Sequence, residues 1–497
     1  MARTSNYLAF DLGAESGRAV IGRFDGARLE LSTLHRFPNG PVRIFDSLYW
    51  DVLRLYQEMK DGLRRYRHAI GEPLESIGLD TWGVDFGLLG RTHELVANPR
   101  HYRDPRTEGM LAAAFERVPR DEIFEYTGIQ FMEINTLYQL LSMKLGGDSA
   151  LEQAETLLMM PDLFNYWLTG VRVCEFTEAT TSQFYDPRRG DWARPLLQKL
   201  GLPTHILPQV IQPGSVIAPL HPAVAEEVGL EGVSVVAPAC HDTGSAVAAV
   251  PASGQDFAYI SSGTWSLMGI ESPQPIINAD SLRYNFTNEG GVCGTIRFLK
   301  NIMGLWLVQE CRRTWAQAGE DLSYDDLTHL AAQAPAFGAL VEPDSHDFLR
   351  PGDMPTRIVE FCTKTGQRAP ESKGEIVRCA LESLALKYRW VLEKLELLLG
   401  RSLQTIHVVG GGSQNRLLCQ LTADAAQRLV IAGPVEATAA GNVLMQALAR
   451  GHIGSLAEGR EVIRRSFELI TYEPRAVAGW DDAYGRFLAI REQVPEA

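Results

Sequence analysis

Tyr7-Leu8-Ala9-Phe10-Asp11-Leu12-Gly13-Ala14-Glu15-Ser16-Gly17-Arg18 opens the regular part of this chain. Its pattern predicts a strand over Tyr7–Leu12, a glycine-bearing turn, and a second strand over Arg18–Phe24. The glycines let backbone N–H groups approach an anion closely. The stretch is neither G-x-x-x-x-G-K-[ST] nor G-x-G-x-x-G, and taken alone it reads as an ordinary hairpin. What raises it above that is a second hairpin far along the chain. There Ser261-Ser262-Gly263-Thr264-Trp265-Ser266 joins predicted strands Phe257–Ser262 and Trp265–Glu271. One such turn means little. Two in equivalent places of a duplicated fold would hold a polyphosphate from both sides.

Working outward, each hairpin heads a similar series. After the first come a strand Leu29–Phe37, a helix Asp51–Arg67 read from Leu53, Tyr56, Met59 and Leu63, and a strand Ser76–Thr81. After the second come a long helix Glu375–Leu399 and a strand Thr405–Val409. In that helix Ser372 and Glu375 are spaced as a capping box, and Gly400 is the stop. The strand runs into Gly410-Gly411-Gly412, and helices are predicted at Asn415–Gln427 and Glu436–Arg450. Strand-turn-strand feeding a helix and another strand is an α/β layer pattern. A chain of 497 residues exceeds one compact core, so two domains are expected. The boundary is placed near residue 250, after the small-residue run that ends at Gly254. Domains of 1–250 and 251–497 with no long linker predict a ligand cleft between them.

Composition narrows the function. With 45% hydrophobic residues and a net charge of −14, the chain has the content of globular domains and no basic stripe to neutralise a nucleic-acid backbone. Its first residues lack a signal-peptide core, and the run around Val235 to Ala252 is broken by His241 and Asp242, which argues against a membrane span. A cytoplasmic protein with neither nucleic acid nor membrane as partner is expected. Seven cysteines with no C-x-x-C pair argue against zinc and against a secreted disulfide framework. Free thiols are the expectation, with Cys362 and Cys379 the one pair near enough in sequence for a bridge to be conceivable.

Three further segments carry chemistry-bearing residues, each with a bland reading beside the functional one. Cys240-His241-Asp242-Thr243-Gly244-Ser245-Ala246 sets an aspartate at the start of a small-residue helix, as a helix cap or as a general base for a hydroxyl. Asp80-Thr81-Trp82-Gly83-Val84-Asp85-Phe86 ends a strand, so its polar groups emerge at the same sheet edge and its Trp-Gly pair suits a sugar; Trp82 as plain core is the alternative. Gly410-Gly411-Gly412 leads a strand into a helix, as a simple turn or as a nucleotide contact. Tyr102, Arg103 and Asn135 stay open between core and site.

These segments, together with NTLYQL, KNIMGLWL and GPVEAT and in this order, resemble the FGGY carbohydrate kinases, and within them those acting on L-rhamnulose. The likeness runs from about Tyr7 to Asn442. It implies two ribonuclease-H-like (actin-like ATPase) domains around a central cleft, the first mainly for sugar and the second mainly for nucleotide. It implies ATP and Mg2+, and transfer of a phosphoryl group to the C1 hydroxyl of L-rhamnulose in L-rhamnose catabolism. The alternatives are a kinase for L-fuculose or D-xylulose, or a non-catalytic actin-like ATPase. By matching position, Asp242 is the proton acceptor. Gly83, His241, Asp242, Thr243 and Asn301 contact sugar; Ala14, Glu15, Ser16, Gly17, Arg18, Thr264, Gln309 and Gly411 contact nucleotide; Asp11 orients the metal through water. Glu15 departs from the Ser or Thr of many relatives, and its carboxylate is expected to point away from the phosphates.

Overall fold

The computed structural model describes residues 4–494, and they form two compact units. The first holds residues up to Ser253 together with Glu271–Phe298 and Ala437–Phe467; the second holds Gly254–Ile270, Leu299–Glu436 and the segment after Glu468.

In the first unit, strands Ser5–Leu12, Ser16–Phe24 and Leu29–Pro38 make an antiparallel meander. Leu74–Thr81 pairs parallel to Ser5–Leu12 on its other side, Ser234–Ala237 pairs parallel to Leu74–Thr81, and Ser215–Pro219 closes the edge antiparallel. Strands with both faces covered read as continuous apolar runs, and Tyr7 to Leu12 is buried throughout. Helix Val52–Ala69 covers one face, with Gly62 against Phe10 and Ala19. Its buried residues are Val52, Leu55, Met59, Gly62, Leu63 and Tyr66, whereas Leu53 is 64% exposed. The buried stripe is therefore rotated from the one the Leu53 spacing predicts. Helix Ala437–Ala449 covers the opposite face, where Gly22 meets Val443 and Gly78 meets Asn442 and Gln446.

The second unit repeats this plan. Phe257–Ser262 and Ser266–Ser272 form the antiparallel hairpin, Thr405–Val409 and Leu429–Ala432 add in parallel, and Ile470–Tyr472 closes the edge antiparallel. The 27-residue helix Lys373–Leu399 starts at the predicted capping box of Ser372 and Glu375 and stops at Gly400, whose φ of 66° suits a residue without a Cβ.

Between Phe86 and Leu230 the first unit carries short helices and two-stranded ribbons around a separate apolar cluster that includes Phe124, Leu137, Phe184 and Leu197. No helix among the described residues is long and apolar enough to cross a membrane. All seven cysteines are free thiols, Cys362 and Cys379 included.

Candidate active site

Three parallel strands of the first unit end at the same edge, and their last residues make the candidate site. Asp11 lies opposite Asp80 in the register, and Thr81 bridges to His241, its N–H donating to the Cys240 carbonyl at 2.8 Å. Carboxyl ends of parallel strands are where open α/β sheets collect ligands, because the chain turns away there and leaves the last side chains accessible. The helix Asp242–Ala248 follows at once. It packs so closely on Ala437–Ala449 that a Cβ on Gly441 would fall 1.8 Å from the Ser245 carbonyl oxygen. A glycine there fixes the position of the helix that carries Asp242.

Asp242 is the first helical residue, and the cap position belongs to His241, so the helix-cap reading of Asp242 does not hold. Its Oδ1 accepts from the N–H and the hydroxyl of Thr243, its own neighbour. The side chain keeps 32% of its accessibility. Loss of water around the carboxylate, and then the nearby charge of Asp11, push its pKa up to about 7. Asp80, entirely buried, is pushed well above the ordinary range by burial first and by Asp11 second. Asn442 donates to its Oδ2 at 2.6 Å, while its Oδ1 finds no partner among the described residues. Asp11 accepts from Arg18 Nη2 at 2.8 Å and Nε at 3.1 Å.

His241 is 8% exposed. Burial, and then the guanidinium of Arg297, hold its pKa well below the ordinary value, so the ring is neutral. Its Nε2 edge faces Gly83, where an added Cβ would lie 3.2 Å from Nε2 and 3.0 Å from Thr181 Cγ2. The turn at Gly83 is held under strain: Val84 has φ 67°, a left-handed value that β-branched residues avoid. Thr181 Oγ1 accepts its N–H at 3.1 Å, and Thr136 donates to its carbonyl at 2.7 Å, which keeps the turn in place.

The rest of the Asp80–Phe86 segment turns inward. Trp82 is 5% exposed and stacks 4.0 Å from Trp50, which stacks 4.3 Å from His101; Trp82 belongs to the core. Asp85 accepts from Trp50 Nε1 at 2.6 Å, Trp82 Nε1 at 3.0 Å, the Tyr102 N–H at 3.2 Å and Gln139 Nε2 at 3.0 Å. Tyr102 is buried beside this knot, with Arg103 over its ring. Asn135 precedes helix Thr136–Leu145 and donates to the Gln130 carbonyl and to Gln183 Oε1, so it too is engaged in the fold.

The hairpin tip Gly13 to Ser16 is closed by the Gly13 N–H donating to the Ser16 carbonyl at 2.9 Å. Ala14 and Ser16 are half-buried and Glu15 is exposed. Gly17 lies under the Phe37 ring, where a Cβ would approach within 2.2 Å.

Thr264, Gln309 and Gly411 all belong to the second unit. The carbonyls of Gly263 and Thr264 accept from the N–H groups of Leu305 and Trp306, which lead into helix Trp306–Gln317 and place Gln309 in its first turn. Gln309 Oε1 is buried with no partner among the described residues. Gly410 to Gly412 wrap Ser262: a Cβ on Gly412 would sit 2.0 Å from its Oγ. Gly411 itself is open, with nothing within 4 Å of such a Cβ. Asn301, half-buried, also belongs to this unit, at the end of strand Ile296–Ile302.

Sequence reasoning missed Arg297 and Glu289. Arg297 is fully buried, donates through Nη2 to His241 Nδ1 at 2.9 Å and stands 3.2 Å from Glu289 Oε2. The signal available was one arginine inside the apolar strand run Ile296-Arg297-Phe298-Leu299, a placement that demands a partner.

Duplicated sheets, paired glycine hairpins and an aspartate at the parallel strand ends define a sugar-kinase architecture, and the chain belongs to the FGGY family of carbohydrate kinases: its N-terminal domain matches residues 6–249 and its C-terminal domain residues 258–450. The chain is 48% identical to a rhamnulokinase of Bacteroides thetaiotaomicron over 97% of its own length and 98% of that protein's. It is 40% identical to a rhamnulokinase of Oceanobacillus iheyensis over 95% and 99%. The ligand-bound xylulose kinase of Lactobacillus acidophilus shares the fold with a TM-score of 0.82 at 16% identity, over 98% of each chain.

Proposed function

We propose that this protein phosphorylates L-rhamnulose at its C1 hydroxyl, using ATP, to give L-rhamnulose 1-phosphate. The observation that carries the reading is the juxtaposition of a raised-pKa Asp242, a neutral His241 and a half-buried Gly83 at one sheet edge, in a family whose full-length relatives include rhamnulokinases. In phosphoryl transfer the protein's task is mostly positioning and neutralisation of charge on the phosphate oxygens. The Asp242 carboxylate takes the C1 hydroxyl proton; the sugar oxygen forms a bond to the γ-phosphorus as the bond to the β-phosphate oxygen breaks, and ADP leaves. A base with pKa near 7 suits this role, since enough of it is ionised at neutral pH and its proton affinity is still useful. Gly83, His241, Thr243 and Asn301 are assigned to the sugar. Ala14, Glu15, Ser16, Gly17 and Arg18 are assigned to the phosphates, with Glu15 contributing backbone only, and Thr264, Gln309 and Gly411 to the nucleotide.

Magnesium fits the residues present through water. Among the described residues no three His, Cys, Asp or Glu side chains converge to ligate a metal directly, yet Asp11 stands at the strand ends opposite Asp80, whose Oδ1 has no partner among the described residues. Asp11 would hold the ion's water shell, with Asp80 beside it. When bound with ATP the ion neutralises phosphate charge. The location is assigned to the cytoplasm, where ATP and sugar meet. The deciding experiment compares kcat/KM for L-rhamnulose, L-fuculose, D-xylulose and glycerol with ATP and Mg2+, identifying the sugar phosphate formed. L-Rhamnulose leads if the reading holds; a preference for any of the other three overturns the substrate assignment.

A further inference from the structure

The imidazole of His241 is touched by charged groups on both sides of the ring. Arg297 Nη2 lies 2.9 Å from Nδ1, Glu289 Oε2 lies 3.5 Å from the same nitrogen, and Asp242 Oδ1 lies 3.6 Å from Nε2. Arg297 is held in place: Nε donates to the Gly290 carbonyl at 2.7 Å, and Nη2, which donates to His241, pairs with the Glu289 carboxylate at 3.2 Å. A guanidinium has donors only and keeps its proton in proteins. A donor facing Nδ1 requires a lone pair there, so the single ring proton of the neutral imidazole sits on Nε2. That N–H is on the edge beside Gly83 and Asp242.

We infer that Arg297 and Glu289 act as positioning residues that lock His241 in the Nε2–H tautomer, so that His241 presents one fixed donor to an acceptor oxygen of the sugar next to the hydroxyl facing Asp242. This rests on the sugar-kinase reading of the site. Glu289 anchors the guanidinium, and without Arg297 the same carboxylate stands where it accepts a proton from Nδ1. Losing the arginine therefore reverses the ring: Nε2 becomes a lone pair, or the ring becomes imidazolium against Glu289 and Asp242. A lone pair at Nε2 leaves a buried sugar oxygen without its donor. Asp11 and Asp80 also act on Asp242, and Glu178, buried near Asp242 and Arg297, is pushed well above its ordinary range by burial.

The test uses full-length enzyme labelled with 15N-histidine, the His241 signal being identified by its loss in His241→Gln. Removing only the arginine leaves the buried Glu289 carboxylate without its guanidinium, so the informative variant is the double Arg297→Met/Glu289→Met, which removes both charges together, with Arg297→Lys as the conservative rescue. In the wild type the His241 proton is on Nε2. In the double variant both tautomers are populated, KM for the sugar rises roughly 10-fold, and KM for ATP is unchanged. Arg297→Lys restores the Nε2–H form and most of the sugar affinity. If the folded double variant keeps a pure Nε2–H ring, or keeps wild-type sugar KM, the inference fails. The tautomer readout requires no sugar, and kinetics are run on whichever sugar the wild type phosphorylates, so an error in the substrate assignment is separable from an error here.

Discussion

Asp85 and Asp242 are carboxylates of the same unit, both raised in pKa by burial first, to about 6 and about 7. Their surroundings differ in what is left over. Four donors close on Asp85, from two indoles, one amide side chain and one backbone N–H, and none of its surface reaches solvent. Among the described residues Asp242 accepts hydrogen bonds from its own Thr243 alone, through one oxygen, and its side chain keeps 32% of its accessibility. A carboxylate with both oxygens engaged by buried donors holds a core together; one with a spare oxygen at a strand end is available to a substrate. The perturbed pKa marks both, so it cannot distinguish them; the hydrogen-bond inventory does.

Asp242→Asn should give the largest effect. Volume and the Thr243 hydrogen bonds are nearly preserved while the proton acceptor is lost, so kcat should fall about 10^3-fold with ATP affinity close to wild type. A coupled ADP assay and calorimetric titration of ATP read both quantities. Turnover near wild type would remove the distinction between the two aspartates.

Asp85→Ala attacks the other member. It leaves the Trp50 and Trp82 N–H groups buried without their acceptor, which should cost about 3 kcal/mol or more of stability. The loss should appear as a lower Tm, and, where the variant folds, kcat should stay within a few-fold of wild type. A large fall in kcat at unchanged Tm would mean that Asp85 serves the chemistry directly.

The same two groups give pH responses of opposite sign. Asp242 must be ionised to accept a proton, so kcat/KM should rise with pH and level off above about 7, falling tenfold per unit well below it. For Asp85 the native pKa lies above the unfolded one. Between about pH 4 and 6 the native state therefore binds more protons than the unfolded chain, and stability contributed by this group below that window is lost as pH rises through it, by ~3 kcal/mol. Comparing denaturation of wild type and Asp85→Asn at pH 4 and 7 isolates that slope, since the variant lacks the titrating group. Equal slopes in the two proteins would contradict the burial argument.

What the sequence disclosed was local. The capping box at Ser372 and Glu375, the stop at Gly400 and both glycine hairpins depend on neighbours a few residues away, and they stand where their residue types place them. The helix after Asp51 was legible as a helix, but not its buried face, because Leu53 and Leu55 are equally apolar and only the packing against Phe10 and Ala19 chooses between them. Within the DTWGVDF segment the sequence offered a sugar-binding Trp-Gly pair. The fold separates the two, since a backbone turn at Val84 sends Trp82 and Asp85 into the aromatic stack and leaves only Gly83 at the edge. The contact of Ala437–Ala449 with the first sheet and the grip of Arg297 on His241 join residues far apart in sequence, and no short motif announces either.

Gly83→Ala should produce the smallest effect and tests the edge itself. The backbone there is not left-handed, so the substitution adds one methyl group without requiring a new conformation. That methyl would stand 3.0 Å from Thr181 Cγ2 and 3.2 Å from His241 Nε2, closer than ordinary contact, and the neighbours must give by a few tenths of an ångström. The pressure falls on the His241 edge that bears the donor and on the space beside Asp242. Stability should change by less than about 1 kcal/mol, because Gly83 is only half-buried and the strained Val84 keeps its N–H donated to Thr181 and its carbonyl accepting from Thr136 and Gln139. Sugar KM should rise roughly 10-fold, the scale set by a methyl group in a fitted pocket, while KM for ATP stays fixed. If both KM values moved together, Gly83 would be acting on the whole unit; if neither moved, the sugar would lie away from this edge, and the contrast between Asp85 and Asp242 would need another explanation.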